Sequence, residues 1–242
     1  MGRVTATDRR AVLLATAGLT LAAGCATRSA VAHPAHSAGS APPLPAQLTH
    51  GPRDRPRVAL TFHGAGDPAV ARALLTEAEQ RGARVTVLAV GSWLDTHPDL
   101  ARRILDGGHD LGNHTLNHLD INAMSEAEAR QEITGCAERI RRLTGSVGSW
   151  FRPSRTPTAS PLVVRLAQEA GYPHVLSYDV DSLDFTSPSA AAVARKVLAE
   201  IREGSVVSLH FGYADTVAAL PVVLEELDRR GLAAVTTTEL FS

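Results

Sequence analysis

The chain has 242 residues, with 24 basic and 25 acidic side chains and a formal net charge of -1. Apolar residues make up 44% of it, which supplies a sizeable core and excludes disorder over the whole length. Residues 1–56 carry six Arg against two Asp, whereas residues 57–242 carry 18 bases against 23 acids. An acidic domain with only 4% aromatic residues is unlike a nucleic-acid binder. We therefore expect no nucleic-acid partner, and no protein partner is evident.

The first 24 residues are typical of a secretory signal. Three Arg lie within residues 1–10, and the stretch from Ala11 to Gly24 has no charge. This apolar run is shorter than the ~20 residues that a membrane-spanning helix needs. Residues 21–25, Leu-Ala-Ala-Gly-Cys, resemble a lipobox, in which the chain is cut before a cysteine that becomes lipidated. We expect an exported protein that is either anchored by lipid on Cys25 at the outer face of the cell membrane or secreted.

Residues 25–56 have the composition of a flexible linker. Six of the 26 residues from Val31 to Pro56 are Pro, and no apolar period appears among them. Such a segment buries too little surface to offset the entropy of ordering it. The sequence therefore predicts one folded domain over residues 57–242.

Strands and helices alternate in this domain. Short apolar, partly β-branched segments predict strands at residues 57–62, 84–90, 110–113, 150–152, 175–178, 205–210 and 233–237. Helical spacing of apolar residues predicts helices at 68–81, 98–106, 125–143, 161–170, 190–202 and 216–230. About seven βα units predict a parallel sheet with helices outside it. In barrels of this type, functional residues gather at the carboxyl ends of the strands.

Ionisable residues follow five of the predicted strands, which favours a functional site at that end. His114 and His118 are four residues apart, so on a helical turn both imidazoles would lie on one face and bind one ion. A pair alone is a weak signal, because surface histidines often have this spacing. A catalytic metal commonly takes three protein ligands, and Asp67 or His63 would be the third.

His210 ends an apolar strand and is either a candidate proton donor or a core histidine with a satisfied hydrogen bond. Asp181 would be its partner, since a carboxylate beside an imidazole suits it to act as an acid. Arg152 would hold a carboxylate or a substrate oxygen, or else form a salt bridge with Asp179, Asp181 or Asp184.

In this order, the strand-end residues resemble the polysaccharide deacetylase (NodB-homology) family, carbohydrate esterase family 4, over about residues 57–240. Four of the family's five motifs match: His-Thr-Leu-Asn-His at 114–118, Phe-Arg-Pro at 151–153, Asp-Ser-Leu-Asp-Phe at 181–185 with Phe in place of Trp, and Leu-His at 209–210. The resemblance implies a distorted barrel of about seven βα units. It also implies one divalent metal ion, with zinc expected, and removal of N- or O-acetyl groups from polysaccharides.

The first motif departs from the family's Thr-Phe-Asp-Asp-Gly, because residues 61–67 read Thr-Phe-His-Gly-Ala-Gly-Asp. His63 stands where the family has its catalytic base, and Gly64 where it has a metal-binding Asp. In the favoured arrangement Asp67 binds the metal with His114 and His118, and His63 is the base. In the alternative, His63 completes a three-histidine metal site and Asp67 is the base.

The function expected from this resemblance is metal-dependent hydrolysis of acetyl groups on an N-acetylated glycan such as peptidoglycan. The catalytic residues would be His63, His210, Asp181 and Arg152, with His210, oriented by Asp181, protonating the leaving amine. The alternative is a catalytically inactive barrel that binds glycan at the cell surface, which the altered first motif favours.

Overall fold

The computed structural model describes residues 44–186 and 189–242. The predicted signal peptide at 1–24, Cys25, and the linker as far as residue 43 lie outside these described residues. In the part of the chain that is described, no helix has the length and apolar character needed to cross a membrane.

The described strands are β1 (Gln47–Leu48), β2 (Arg57–Gly64), β3 (Thr86–Ala89), β4 (Asp110–Asn113), β5 (Val175–Leu176), β6 (Val180–Asp181), β7 (Val206–His210) and β8 (Ala233–Val235). The described helices are α1 (Pro68–Gln80), α2 (Gly91–Thr96), α3 (Asp99–Asp106), α4 (Glu126–Thr144), α5 (Pro161–Glu169), α6 (Ala190–Glu200), α7 (Ala214–Arg229) and α8 (Thr237–Leu240). Strands and helices alternate through most of the chain, as the sequence pattern predicts.

All pairings between these strands are parallel. The order β4-β3-β2-β7-β6 forms the main sheet, β8 pairs with the start of β2, and β1 pairs with β5. Phe151 joins the two parts, since it makes parallel bridges to Asn113 and to Val175. The predicted α/β fold with a parallel, distorted barrel is confirmed, but its fourth strand is reduced to this single bridging residue.

The central strand β2 shows how the sheet separates core from site. Val58, Leu60 and Phe62 alternate on the face that packs with residues of α1 and α7 in the main apolar cluster. The intervening residues Thr61 and His63 therefore lie on the opposite face, inside the barrel. Successive side chains of a strand point to opposite faces, so one short segment both builds the core and delivers polar groups to the barrel interior.

Local sequence signals explain where the major helices begin and end. Asp67 caps α1 through a 2.8 Å hydrogen bond from the Ala69 backbone N–H, and Pro68 follows at the first helical position. Ser125 and Glu128 form a capping box at the start of α4, which ends at Gly145 in the left-handed conformation.

The folded domain begins before Arg57, where the sequence pattern placed the end of a linker. Leu48 in β1 is only 3% exposed, and its neighbour Gln47 pairs with Val175 of β5. The boundary expected at residue 57 is therefore too late. The polar, Pro-rich composition of this segment does not predict a strand. The two-residue strand β1 forms only with a partner more than 120 residues away in the sequence.

Candidate active site

Two histidines reach the barrel interior from neighbouring strands. His63 near the end of β2 is the register partner of His210 at the end of β7. Register partners in a parallel sheet point to the same face, and the two imidazole centroids are 4.3 Å apart. His63 is the second-last residue of β2 and His210 is the last residue of β7, so both rings lie at the carboxyl end of the sheet.

His114 and His118 lie on an irregular loop after β4 rather than on the helical turn that their spacing suggested. Thr115 and His118 have positive φ angles of 69° and 57°. The Thr115 hydroxyl accepts the His118 backbone N–H at 3.2 Å, which holds the loop closed. The two imidazole centroids are 4.8 Å apart, so the loop brings the rings together without a helix.

His63, His114 and His118 form one cluster, in which one nitrogen of each ring lies within 4.8 Å of the others. His114 donates from Nδ1 to the Arg152 carbonyl at 3.0 Å, which leaves its Nε2 as a lone-pair acceptor. That Nε2 is buried and has no hydrogen-bond partner among the described residues. An orphaned imidazole nitrogen facing two other imidazoles is the donor set that a divalent metal takes, so these residues fit such an ion.

The histidines of this cluster are held in the neutral form that binds metal. Burial lowers the pKa of His63 and of His114 well below 6.5, and the charges of neighbouring histidines add to the effect. The pKa of His118 is lowered as well, first by burial and then by the charge of Arg155. Imidazole must be unprotonated to ligate, so burial favours metal binding here.

Asp67 does not join the cluster. Its side chain is exposed and caps α1, and the group of potential ligands in the described residues contains His63 in its place. The structure therefore brings His63, and not Asp67, together with His114 and His118. The reason is local, because Gly66 at φ 100° directs the chain into the helix, where the Asp67 carboxylate meets the free backbone N–H groups.

His210 is held by Asp184 and not by Asp181. Its Nδ1 is 2.6 Å from Oδ1 of Asp184, and its backbone N–H donates to Oδ2 at 2.8 Å. The hydroxyl of Thr216 donates to the same Oδ2 at 2.7 Å, and Asp184 is fully buried. The carboxylate accepts the Nδ1 proton, so the other ring nitrogen, Nε2, is the one left for substrate.

Arg152 lies inside the barrel and is 1% exposed. Its guanidinium donates to the Thr61 hydroxyl at 2.8 Å and to the carbonyl oxygens of Leu176 and Ser177 at 3.1 and 3.0 Å. Burial lowers the pKa of Arg152 to about 9, which leaves the guanidinium charged at neutral pH. The guanidinium therefore stabilises the barrel interior by hydrogen bonds to neutral oxygen atoms.

The aspartates that the sequence offered as partners of Arg152 are bonded elsewhere. Asp179 pairs with Arg53 at 2.8 Å, and Asp184 is used by the histidine described above. Asp181 makes no hydrogen bond to the guanidinium. Among the described residues Arg152 thus has no carboxylate hydrogen-bond partner, and it lies outside the pocket lining.

The histidines open onto a pocket of about 420 Å³. Its lining includes His63, His118, His210, Pro153, Arg155, Thr156, Pro157, Tyr178, Asp181, Phe185, Ser208 and Tyr213. Phe185 is 47% exposed, and Phe185 and Tyr213 both meet the ring of His210 edge-on, at 5.6 and 5.9 Å. Aromatic side chains therefore line the pocket beside a few polar groups, an arrangement common in sites that bind small ligands.

Sequence reasoning missed several of these residues. Thr216, Ser208, Tyr178 and Tyr213 belong to no motif, and only their place near a strand end could have suggested them. Asp184 was present in the matched motif, but spacing alone does not show which of two aspartates turns toward the histidine.

Solved structures and curated sequences resemble this chain. A CE4 family pseudoenzyme from Bacillus anthracis superposes with a TM-score of 0.77 at 23% identity, covering 82% of this chain and 70% of that one. This likeness shows the fold. A peptidoglycan-N-acetylglucosamine deacetylase of Bacillus cereus is 31% identical over 194 residues, which is 78% of this chain and 90% of that protein.

A longer relative matches over the same domain. The peptidoglycan-N-acetylglucosamine deacetylase PgdA of Listeria monocytogenes is 28% identical over 76% of this chain, which spans only 39% of that protein. The family model for polysaccharide deacetylase matches residues 50–175. The chain therefore belongs to the polysaccharide deacetylase family, hydrolases acting on carbon–nitrogen bonds, as the order of its motifs predicted.

Proposed function

We propose that this protein is a metal-dependent deacetylase that hydrolyses the acetamide group of N-acetylglucosamine residues in a cell-wall glycan, with peptidoglycan as the substrate class. The observation that carries the proposal is the cluster of His63, His114 and His118 beside the His210–Asp184 pair in one pocket. The substrate class is supported by the relative from Bacillus cereus that is 31% identical and is named a peptidoglycan-N-acetylglucosamine deacetylase.

The ligand set favours zinc as the ion. Imidazole suits zinc and its late transition-metal neighbours, whereas magnesium, calcium and manganese prefer oxygen ligands. Three neutral imidazoles are also a common donor set of catalytic zinc. We therefore propose one zinc ion bound by His63, His114 and His118, with the orphaned Nε2 of His114 as one of the donor atoms.

The chain's own residues supply proton transfer and substrate placement. When bound, the ion contributes Lewis-acid polarisation of the acetyl carbonyl. His210 gives a proton to the leaving amine nitrogen, because Asp184 fixes its tautomer and stabilises the imidazolium. Tyr178, Phe185 and Tyr213 offer apolar ring faces to the sugar around the acetamide group.

The test is acetate release from an N-acetylglucosamine oligomer and from purified peptidoglycan. Protein stripped with a chelator should release none, and one equivalent of zinc should restore the activity. His114→Ala should bind no stoichiometric zinc and remain inactive under the same conditions. Failure of the zinc-loaded wild type to release acetate from either substrate would refute the proposal.

A second candidate is an inactive barrel that binds glycan, and the substitution of both first-motif carboxylates by His63 and Gly64 favours it. It predicts retention of the protein on insoluble peptidoglycan without acetate release. Under this alternative, Tyr213→Ala should weaken retention while zinc removal leaves it unchanged. The acetate assay separates the two candidates directly.

We also propose that the protein is exported and anchored by lipid on Cys25, where it meets the cell wall. The basic start, the uncharged run of residues 11–24 and the cysteine that follows support this proposal. The cell-wall substrate in the names of the curated relatives agrees with action outside the cell.

A further inference from the structure

The deacetylase reaction needs a group that takes a proton from the attacking water, and the first motif does not supply a carboxylate for it. His63 belongs to the histidine cluster, and Gly64 has no side chain. The carboxylate of Asp67 caps α1 and lies outside the pocket lining. A general base would therefore have to come from another strand.

Asp181 lies on the same face of the sheet as His63 and His210, two residues before them in the strand register. Thr61, Ser208 and Asp181 are register partners on β2, β7 and β6, so their side chains lie on one face of three neighbouring strands. His63 and His210 are partners on the same face, two residues further along. Asp181 lines the pocket with both histidines and is the only carboxylate in that lining as the described residues define it.

Asp181 has an oxygen available for this task. The orienting role expected of it is performed by Asp184, which leaves Asp181 out of the contact with His210. One of its oxygens, Oδ1, accepts the Leu183 backbone N–H at 3.1 Å. The other oxygen accepts no hydrogen bond from the described residues, and the side chain is partly exposed to the pocket.

A polar path joins Asp181 to the histidine cluster. Ser208, its register partner, has its hydroxyl oxygen 3.4 Å from Nε2 of His63. Asp181, Ser208 and His63 all line the same pocket. A base must reach the reacting water directly or through one further water. The register places Asp181 beside Ser208 and one strand further from His63, with all three side chains on the same face.

We propose that Asp181 is the general base of this enzyme, an inference that rests on the deacetylase function proposed above. Asp181 takes a proton from water as the water oxygen forms its bond to the acetyl carbon. His210 then gives its proton to the nitrogen as the carbon–nitrogen bond breaks, which yields a free amine and acetic acid. The proton on Asp181 returns to His210 through solvent, so each cycle consumes one water and one acetamide.

The experiment compares Asp181→Asn with Asp67→Asn in zinc-loaded protein of the full domain. Asn at 181 can still accept the Leu183 N–H, and Asn at 67 is still a good helix cap, so both changes remove charge with little change of shape. Acetate release, zinc content and melting temperature are measured for each. We expect kcat to fall about 10²- to 10⁴-fold in Asp181→Asn, with zinc content unchanged, and to stay within about twofold of wild type in Asp67→Asn.

A second variant separates base catalysis from a structural role. In Asp181→Ala, sodium formate should restore part of kcat, because a small carboxylate can occupy the vacated space, whereas formate should not raise the rate of wild type. Wild-type kcat in Asp181→Asn, or loss of activity in Asp67→Asn alone, would overturn the assignment. Absence of acetate release from wild type would instead refute the proposed function, and the base assignment with it.

Discussion

The imidazole of His210 lies with Nδ1 2.6 Å from Oδ1 of Asp184, a carboxylate that is closed off from solvent and also receives the His210 backbone N–H and the Thr216 hydroxyl. With three donors directed at it, Asp184 fixes both the position and the tautomer of the ring. A histidine held in this way by Nδ1 presents Nε2 to the pocket.

Asp184→Asn should therefore lower acetate release by about 10²- to 10⁴-fold, because an amide cannot accept all three hydrogen bonds and favours the wrong tautomer of His210. Zinc content should not change, since Asp184 does not contact the histidine cluster. Steady-state kinetics with elemental analysis checks both. Equal loss of zinc and activity would show that Asp184 acts through the fold of the site rather than through His210.

The strand-end rule explains how much of the site could be predicted. His63, His114 and His210 each follow or end a strand, and the parallel sheet brings such residues together whatever their separation in sequence. The choice between Asp181 and Asp184 could not be predicted. It depends on the turn between them, where Leu183 has a φ of 55°.

The fold shows the same division between local and long-range signals. The helix α4 was predicted within one residue at each end, because its capping box and its terminal Gly145 are encoded locally. The strands β1 and β6 have two residues each, too few to show a period of two. The position of Phe151 also depends on distant partners, because it is a single residue bridged to β4 and β5.

The identity of the third ligand leads to a prediction about metal affinity. His63→Ala should lose stoichiometric zinc, because it leaves only two imidazoles, whereas Asp67→Asn should keep one equivalent. The measurement is elemental analysis after dialysis against a weak chelator, with His114→Ala as the control that removes a ligand common to both arrangements. Zinc retained by His63→Ala and lost from Asp67→Asn would restore the arrangement in which Asp67 binds the metal and His63 is the base.

The segment around Cys25 leads to a prediction about the mature protein. Cleavage after Gly24 should leave Cys25 as the N-terminus with lipid attached, since the uncharged run is too short to remain as a membrane span. Mass spectrometry of membrane-extracted protein should find the lipidated peptide, and Cys25→Ser should abolish it and release the protein from the membrane. A soluble product cut at another position, with an unmodified Cys25, would contradict the anchor.

The stability of the metal-free protein should fall as the pH decreases below about 6.5. Burial holds the pKa of His63 and His114 well below that ordinary value, so the unfolded chain binds protons first. The stability due to these neutral imidazoles is complete above pH 6.5 and declines by up to about 1.4 kcal/mol per pH unit for each group on acidification. Thermal unfolding of chelator-treated protein between pH 8 and pH 5 checks this.

Two variants identify the histidines responsible. His114→Gln and His63→Gln should each give a shallower dependence on pH, because each change removes one group whose pKa is lowered by burial. A melting temperature that stays constant from pH 8 to pH 5 in the metal-free wild type would contradict the burial of neutral imidazoles.

The packing around Gly64 explains why a carboxylate cannot simply be restored at the position where the family has its metal-binding Asp. A β-carbon at Gly64 would lie 2.9 Å from Cγ1 of Val87 and 3.0 Å from the Cα of Ala89. Gly64→Ala should therefore lower the free energy of unfolding by about 1–3 kcal/mol in urea denaturation. Gly212→Ala is the matched control, because its nearest neighbour would be an oxygen at 3.9 Å and no loss of stability is expected.

The same contacts predict coupling between positions 64 and 87. Val87→Ala removes the closest of the clashing atoms, although it also leaves space in the core and is destabilising alone. The double variant Gly64→Asp/Val87→Ala should consequently lose less stability than the sum of the losses in the single variants Gly64→Asp and Val87→Ala. A double-mutant cycle measures the difference. Strictly additive losses would show that β3 moves to accept the new side chain, and that the glycine is not required by packing.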